Sequence, residues 1–258
     1  MSNAALKLCV PGPGQAWNSR QLESVAPCLE QFSAQERVQW ALDYLPGEAI
    51  MTSSFGAQSA VMLHMLTRIK PDIPVVLIDT GYLFAETYEF IQALQQRLSL
   101  NLKIFSSDMS TRWQENRFGK LWEKGLEGIE QYNQINKVTP MARALDQLHP
   151  GFWFSGLRRT QSSSRNAIRV LEPHGELVKV HPIVDWTDRD VHNYLKNHEL
   201  PYHPLRDKGY VSIGDYHTSH LLSEVKSEED ARFFGLVREC GLHQPEKYSN
   251  TNPSAAIS

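Results

Sequence analysis

Three apolar runs of strand length, each closed by a turn and followed by a helical repeat, constrain this chain most. Ala49-Ile50-Met51-Thr52-Ser53-Ser54-Phe55 enters a Gly-Ala-Gln-Ser turn, and Ala60 to Ile69 then carries apolar residues at helical spacing. Ile73 to Ile78 is rich in β-branched residues and stops at Asp79-Thr80-Gly81; Ala85 to Leu98 is helical again, and Leu100 to Phe105 reads as a third strand. Strand, helix, strand, helix, strand predicts parallel pairing with crossover helices. Near-continuous apolar strands fit a sheet covered on both faces. Phe152-Trp153-Phe154-Ser155-Gly156 and Leu177-Val178-Lys179-Val180 are candidates for further strands. Ser33-Ala34-Gln35-Glu36 reads as a capping box opening a helix through about Tyr44. Thr187-Asp188-Arg189-Asp190 can cap a helix through about Asn197, and Ser227-Glu228-Glu229-Asp230 one through about Cys240. Pro11-Gly12-Pro13-Gly14 predicts a loose start over residues 1–20, and Gln244 to Ser258 is expected to be disordered.

The chain has 258 residues, enough to bury a core, and its 41% apolar and 21% charged content is ordinary for a globular protein. Lys plus Arg is 26 against 29 Asp plus Glu, for a net charge of -3, so nothing points to a nucleic-acid partner. An anion site has to be a local cluster of arginine and lysine. Apolar runs such as Pro74 to Ile78 fall far short of the roughly 20 residues that span a bilayer. Met1 to Gly14 lacks the pattern of a secretory signal, so a cytoplasmic location is expected. Cys9, Cys28 and Cys240 are too scattered for a disulfide framework, and no CxxC is present, which argues against a zinc finger or a cysteine-ligated cluster.

Ligands of open parallel sheets sit beyond the carboxyl ends of the strands, which singles out three turns. Ser53, Ser54, Phe55, Gly56, Gln58 and Ser59 lie in a strand-to-helix loop whose N–H groups and hydroxyls can converge on an anion; a plain capped turn is the competing reading. The loop is not a Walker A motif. Gly156 to Arg165 packs Arg158, Arg159 and Arg165 with Gln161 and three serines after a strand, and forked guanidinium donors suit phosphate or sulfate; a solvated basic loop is the alternative. Asp79, Thr80 and Gly81 could meet a ribose or base edge, or simply form a turn. Cys240 stands before Gly241, at the negative end of its expected helix and beside Glu239. Its thiolate therefore needs help from Arg238, His243 or a bound arginine cluster; otherwise the thiol is inert. His203 and His217 lack ligand spacing and read as structural or solvent-facing, with His217 a minor candidate for the site.

In order along the chain stand Ser53-Ser54-Phe55-Gly56-Ala57-Gln58-Ser59, Asp79-Thr80-Gly81-Tyr82, Ile135-Asn136-Lys137 with Pro140-Met141, Gly156-Leu157-Arg158-Arg159-Thr160-Gln161 and Glu239-Cys240-Gly241-Leu242-His243. This series closely resembles the phosphoadenylyl-sulfate reductase family of sulfate assimilation, over roughly residues 45 to 243. The resemblance implies an α/β fold with a doubly wound, mostly parallel sheet of the PP-loop (adenine nucleotide alpha hydrolase-like) type and a C-terminal tail carrying the nucleophile. The chain then divides into an N-terminal helical segment (1–45), a nucleotide-binding domain (46–200) and a C-terminal segment (201–258). Pyrophosphatase relatives carry Ser-Gly-Gly-x-Asp-Ser in the loop; Gln58 stands here at the carboxylate, which argues against ATP cleavage.

Relatives that reduce adenylyl sulfate hold a [4Fe-4S] cluster on a Cys-Cys pair and a CxxC. Those positions fall here at Tyr132-Asn133 and at Asp215 to Thr218, so no bound cofactor and no metal are expected. The resemblance implies reduction of 3′-phosphoadenylyl sulfate to sulfite, with Cys240 as nucleophile, His243 and Arg232 beside it, and Lys137, Arg158, Arg159 and Arg165 on phosphate and sulfonate oxygens. It implies reduced thioredoxin or glutaredoxin as electron donor, and a homodimer. Open alternatives are a cluster-free adenylyl-sulfate reductase, an ATP-using PP-loop enzyme and a non-catalytic nucleotide sensor.

Overall fold

The computed structural model describes residues 17–225. Cys240, His243 and Arg232, the expected helix through Cys240 and the expected disordered end lie outside the described residues, as does Cys9. Six strands form one sheet: β1 (Ala49–Thr52), β2 (Pro74–Asp79), β3 (Asn101–Ser106), β4 (Phe152–Phe154), β5 (Leu171–His174) and β6 (Leu177–Val180). Their order is β3-β2-β1-β4-β6-β5, parallel except for the β5–β6 hairpin. The chain winds outward from β1 through β2 to β3, then returns to place β4 on the other side of β1. That reversal is the topological switch point of a doubly wound sheet, where a crevice opens. The mostly parallel α/β sheet is thus as the sequence predicts.

Strand alternation assigns the two faces. Met51, Val75, Leu77, Phe152 and Phe154 join the main core with α3 (Ala60–Ile69) and α4 (Ala85–Leu98). Ile50, Val76 and Trp153 point the other way and pack against Met141 and Ala144 of a later helix, α7 (Thr139–Leu148). β1 stops at Thr52 rather than reaching Phe55, because Phe55 turns into the left-handed region at φ 50 with its ring buried. β4 likewise ends two residues short of Gly156.

The stretch from 107 to 150, which no sequence signal divides, holds α5 (Thr111–Phe118), a 3-10 turn at Leu121–Glu123, α6 (Gly125–Asn133), a wide π turn (Gln134–Val138) and α7. At the start of the described chain, α1 (Ser19–Leu29) begins inside the region expected to be loose, capped by Asn18 in a capping box with Gln21. α2 (Ala34–Tyr44) and α8 (Asp188–Asn197) begin where Ser33 and Thr187 predict.

The two N-terminal helices are bolted to the sheet domain by Arg37, whose residue is 1% exposed. Its five N–H donors meet the Leu29, Glu30 and Pro182 carbonyls and both oxygens of Asp185, at 2.6–3.0 Å. Burial pushes the Asp185 carboxyl up, but the Arg37 bonds and charge outweigh it and hold it below the usual range. Arg37→Met is expected to cost about 2–3 kcal/mol in urea unfolding, because three carbonyls lose their donor while the half-exposed Asp185 carboxylate turns to water.

The segment after α8 returns across the sheet through His203. The Leu205 N–H donates to Nδ1 at 3.1 Å, so Nε2 carries the proton and donates to Thr87 Oγ1 at 3.0 Å. A second ring proton has no acceptor there, and burial pushes the pKa down to about 4. The unfolded chain then binds more protons than the folded one below the ordinary histidine value of about 6.5. Stability is lost as pH falls from about 6.5 toward 4. His203→Asn, which retains an acceptor for Leu205 but does not titrate, is expected to reduce the slope of that part of the urea-midpoint profile against pH, with a remaining slope from His174, which burial also pushes down to about 4.

Candidate active site

The loop at the switch point follows β1 directly. Ser53 N–H donates to the Val76 carbonyl, completing the ladder, and Ser53 Oγ accepts from the Phe55 N–H at 3.1 Å. The left-handed Phe55 anchors its ring in the core and turns Ser54 out to solvent. Residues 56–59 then lead into α3. The buried Ser59 hydroxyl has no hydrogen-bond partner among the described residues, which suits a group meant for a ligand.

On one flank stands Arg158, after β4 on the other side of the switch point. Its Nη2 donates to Gln58 Oε1 at 2.6 Å and pairs with Asp188 at 2.9 Å, while Nη1 reaches Thr160 Oγ1 and the Trp186 carbonyl. Gln58 Nε2 also donates to Asp188 at 3.3 Å. Burial pushes the Asp188 carboxyl up, but hydrogen bonds from Arg158 and Gln58 prevail and hold it below its ordinary value. The amide at position 58 thus accepts from a guanidinium already paired with Asp188, where a carboxylate would have placed a second negative charge on it.

Arg159 does not join this cluster. Its guanidinium turns to Glu30, just past α1, with bonds at 2.5 and 3.2 Å, and to the Ile168 carbonyl. Gln161 Oε1 accepts from the Arg158 backbone N–H at 3.1 Å and from Arg165, so its side chain braces the loop from within.

On the other flank stands Lys137. Its Nζ lies 2.8 Å from Asp215 Oδ2, and the lysine and aspartate side chains are 7% and 2% exposed. Thr80 Oγ1 donates to Asp215 Oδ1 at 2.5 Å and accepts from the Tyr82 N–H. Thr80 is therefore committed to the protein rather than offered to a ligand. Asp79 Oδ1 accepts from the Gly81 N–H and the Tyr88 hydroxyl, both at 2.8 Å, closing a tight turn. Gly81, at φ 74, is required there: a Cβ would stand 2.6 Å from the Thr111 methyl. In sequence Asp215 stands out only as a position where a cluster cysteine is missing, not as a partner of Lys137. The Ile213–Asp215 strip that carries it also borders the loop, since the Ile213 carbonyl lies 3.5 Å from where a Gly56 methyl would sit.

The two stretches expected to lack cluster cysteines meet in space. Tyr132 lies beside Asp215, and its ring is 5.1 Å from that of His217. Burial, then the Asp215 charge, pushes the Tyr132 phenol well up. His217 stacks on Trp122 at 3.7 Å and sits among Tyr82, Tyr132 and Tyr216. It is thus an aromatic-box residue in the wall of the site. Among the described residues no group of three or more His, Cys, Asp or Glu could hold a metal ion, and Cys28 is exposed on α1 far from these strand ends in sequence. Among the described residues no helix is long and apolar enough to cross a membrane.

Three comparisons show what the chain is similar to. The model of the phosphoadenosine phosphosulfate reductase domain matches residues 48–221. A phosphoadenosine 5′-phosphosulfate reductase of Alteromonas mediterranea is 60% identical over 223 residues, covering 86% of this chain and 90% of its own. One of Vibrio cholerae is 58% identical over 224 residues, covering 87% and 88%. Among solved structures, phosphoadenylyl-sulfate reductase from Candida auris, in a phosphate complex, superposes with a TM-score of 0.71 at 26% identity, over 80% of this chain and all of that one. An FMN adenylyltransferase of Candida glabrata, at TM-score 0.55 and 15% identity over 79% of this chain and 74% of its own, shares the fold. With a family model spanning more than half its length and relatives this similar, the chain belongs to the phosphoadenosine phosphosulfate reductase family.

Proposed function

We propose that this protein reduces 3′-phosphoadenylyl sulfate to sulfite and adenosine 3′,5′-bisphosphate in sulfate assimilation. The observation that carries the reading is a pair of buried cations, Arg158 and Lys137, flanking one hydroxyl-bearing loop at the sheet's switch point. Such a site holds a polyanion between two fixed cationic donors, each braced by a carboxylate, and a set of N–H donors. The Ser53, Ser54, Gly56 and Ser59 loop cradles the phosphosulfate, with Phe55 fixing its turn. Arg158, Lys137 and Arg165 neutralise phosphate and sulfonate oxygens, while Gln58 and Gln161 orient the arginines. Asp79 and Gly81 border the nucleoside. Arg159 is left out of the anion set because Glu30 holds it.

Cys240, outside the described residues, supplies the nucleophile. Its thiolate attacks the sulfonate sulfur, the bond from sulfur to the bridging phosphate oxygen breaks, and adenosine 3′,5′-bisphosphate leaves with that electron pair. Cys240 then carries a thiosulfonate. A thioredoxin or glutaredoxin thiolate attacks the Cys240 sulfur, sulfite leaves with the electron pair of the sulfur–sulfur bond, and the donor's second thiol resolves the mixed disulfide. The donor loses two electrons and two protons overall, and no bound metal or cluster takes part. An unperturbed thiol, with a pKa of about 8.5, is only a few per cent ionised at neutral pH, so the reading assigns His243 and Arg232 to favouring the thiolate or binding the sulfonate. A reducing cytoplasm keeps the thiol available. The reading includes a homodimer.

Intact mass spectrometry of reduced protein mixed with 3′-phosphoadenylyl sulfate, without thioredoxin, is expected to show one added sulfonate on Cys240, discharged as sulfite by reduced thioredoxin. The same experiment with adenylyl sulfate separates the two nucleotides as substrates. Absence of an adduct with either, on protein that binds nucleotide, sinks the reading and leaves the nucleotide sensor.

Arg158→Ala is expected to weaken adenosine 3′,5′-bisphosphate binding about 10- to 100-fold, as loss of a charged hydrogen-bond donor does. Calorimetry showing unchanged affinity removes Arg158 from the site.

A further inference from the structure

Lys137 reaches Asp215 from an uncommon place in a helix. The chain coils without a break from residue 125 to 148, but over Gln134–Val138 the turn widens, and the Thr139 N–H donates five residues back to the Gln134 carbonyl. A wide turn shifts each later side chain around the helix axis and is rare unless something holds it.

What holds this one is a closed ring of two side-chain amides. Gln114 of α5 donates from Nε2 to Asn136 Oδ1 at 2.8 Å, and Asn136 returns a bond from Nδ2 to Gln114 Oε1 at 2.9 Å. The second Gln114 proton goes to the Met109 carbonyl at 2.8 Å, and the second Asn136 proton to the Tyr132 carbonyl at 3.3 Å, just ahead of the wide turn. All four N–H donors are used, and both residues are buried, Asn136 completely. Neither amide retains a donor for a ligand, so any effect on chemistry passes through a neighbour. Asn136 immediately precedes Lys137.

α5 is also tied to the other side of the site. The Tyr82 hydroxyl bonds to Glu115 at 3.1 Å and lies 3.3 Å from the Thr111 carbonyl. Gly81 presses against Thr111. One short helix therefore indexes the Asp79–Tyr82 turn against the wide turn, and the contacts from Thr80 and Lys137 to Asp215 close the circuit.

We propose that Gln114 and Asn136 are positioning residues. By holding the wide turn they aim the Lys137 ammonium at the anionic substrate, a role that rests on the reading of Lys137 as a substrate-binding cation.

The test is a double-mutant cycle on full-length enzyme with 3′-phosphoadenylyl sulfate and reduced thioredoxin, together with calorimetric binding of adenosine 3′,5′-bisphosphate. Lys137→Ala is expected to lower kcat/KM about 10- to 100-fold. Gln114→Leu is expected to lower it about 10-fold in the wild-type background, as misplacement of a charged group does. In the Lys137→Ala background the same change is expected to cost less than about 2-fold, because the group it aims is gone. Gln114→Met, which removes the amide donors while keeping the length of the side chain and adding no charge, follows the same pattern and serves if the leucine variant does not fold. Equal losses from the Gln114 change in both backgrounds, or none in either, overturn the positioning role while leaving Lys137 in the site. No loss of kcat/KM or of nucleotide affinity on Lys137→Ala overturns the underlying reading and this inference with it.

Discussion

The ion pair between Lys137 and Asp215 is the interaction that the rest of the site is built around. Two charges removed from water cost more than their attraction returns unless the remaining hydrogen-bonding capacity is met. Here Thr80 takes the second carboxylate oxygen, and Tyr132 packs its ring below the ammonium, 5.3 Å from the centroid. Meeting these demands fixes three distant stretches together: the end of β2, the wide turn before α7, and the Gly214–Thr218 segment. The sheet supplies the frame, since parallel strands must present their carboxyl ends on one edge, but the ion pair decides how the loops above that edge converge.

The fold was legible wherever the period of apolar residues was clean. β2, α3 and α4 stand within a residue of their expected bounds, because the β-branched run is of strand length and closed by Asp79-Thr80-Gly81, while the two helical stretches are ten or more residues long with apolar residues at helical spacing. The region from 107 to 150 was not legible. α5 has little apolar character beyond Trp113 and Phe118, and its place is set by buried amides and by Tyr82. A π turn has no compositional signature. The left-handed Phe55 was also invisible, since bulky residues rarely take that conformation and only the surrounding core enforces it.

The same distinction separates the site residues. Arg158 and the Ser53–Ser59 loop stand out as candidates in sequence because they follow strand ends, and the structure places them on either side of the switch point. Asp215 does not: its meaning lies in being 2.8 Å from a lysine 78 positions earlier in the chain, a proximity that only the folded topology creates. Sequence placed Tyr132 and Asp215 at positions where relatives carry cysteines, and the structure brings them side by side. A polar and aromatic cluster occupies that ground here.

Arg158 and Arg159 are neighbours in sequence and back to back in space. One guanidinium faces Gln58 and Asp188 at the crevice; the other grips Glu30 at the end of the first helix. A basic dipeptide that reads as one motif is therefore two devices sharing a peptide bond, one lining the crevice and one docking the N-terminal helices. The chain has no slack at this point. Inserting a single residue between them would disengage one guanidinium from its partners, so the spacing here is fixed by mechanics: one peptide unit joins the wall of the crevice to the seat of the first helix.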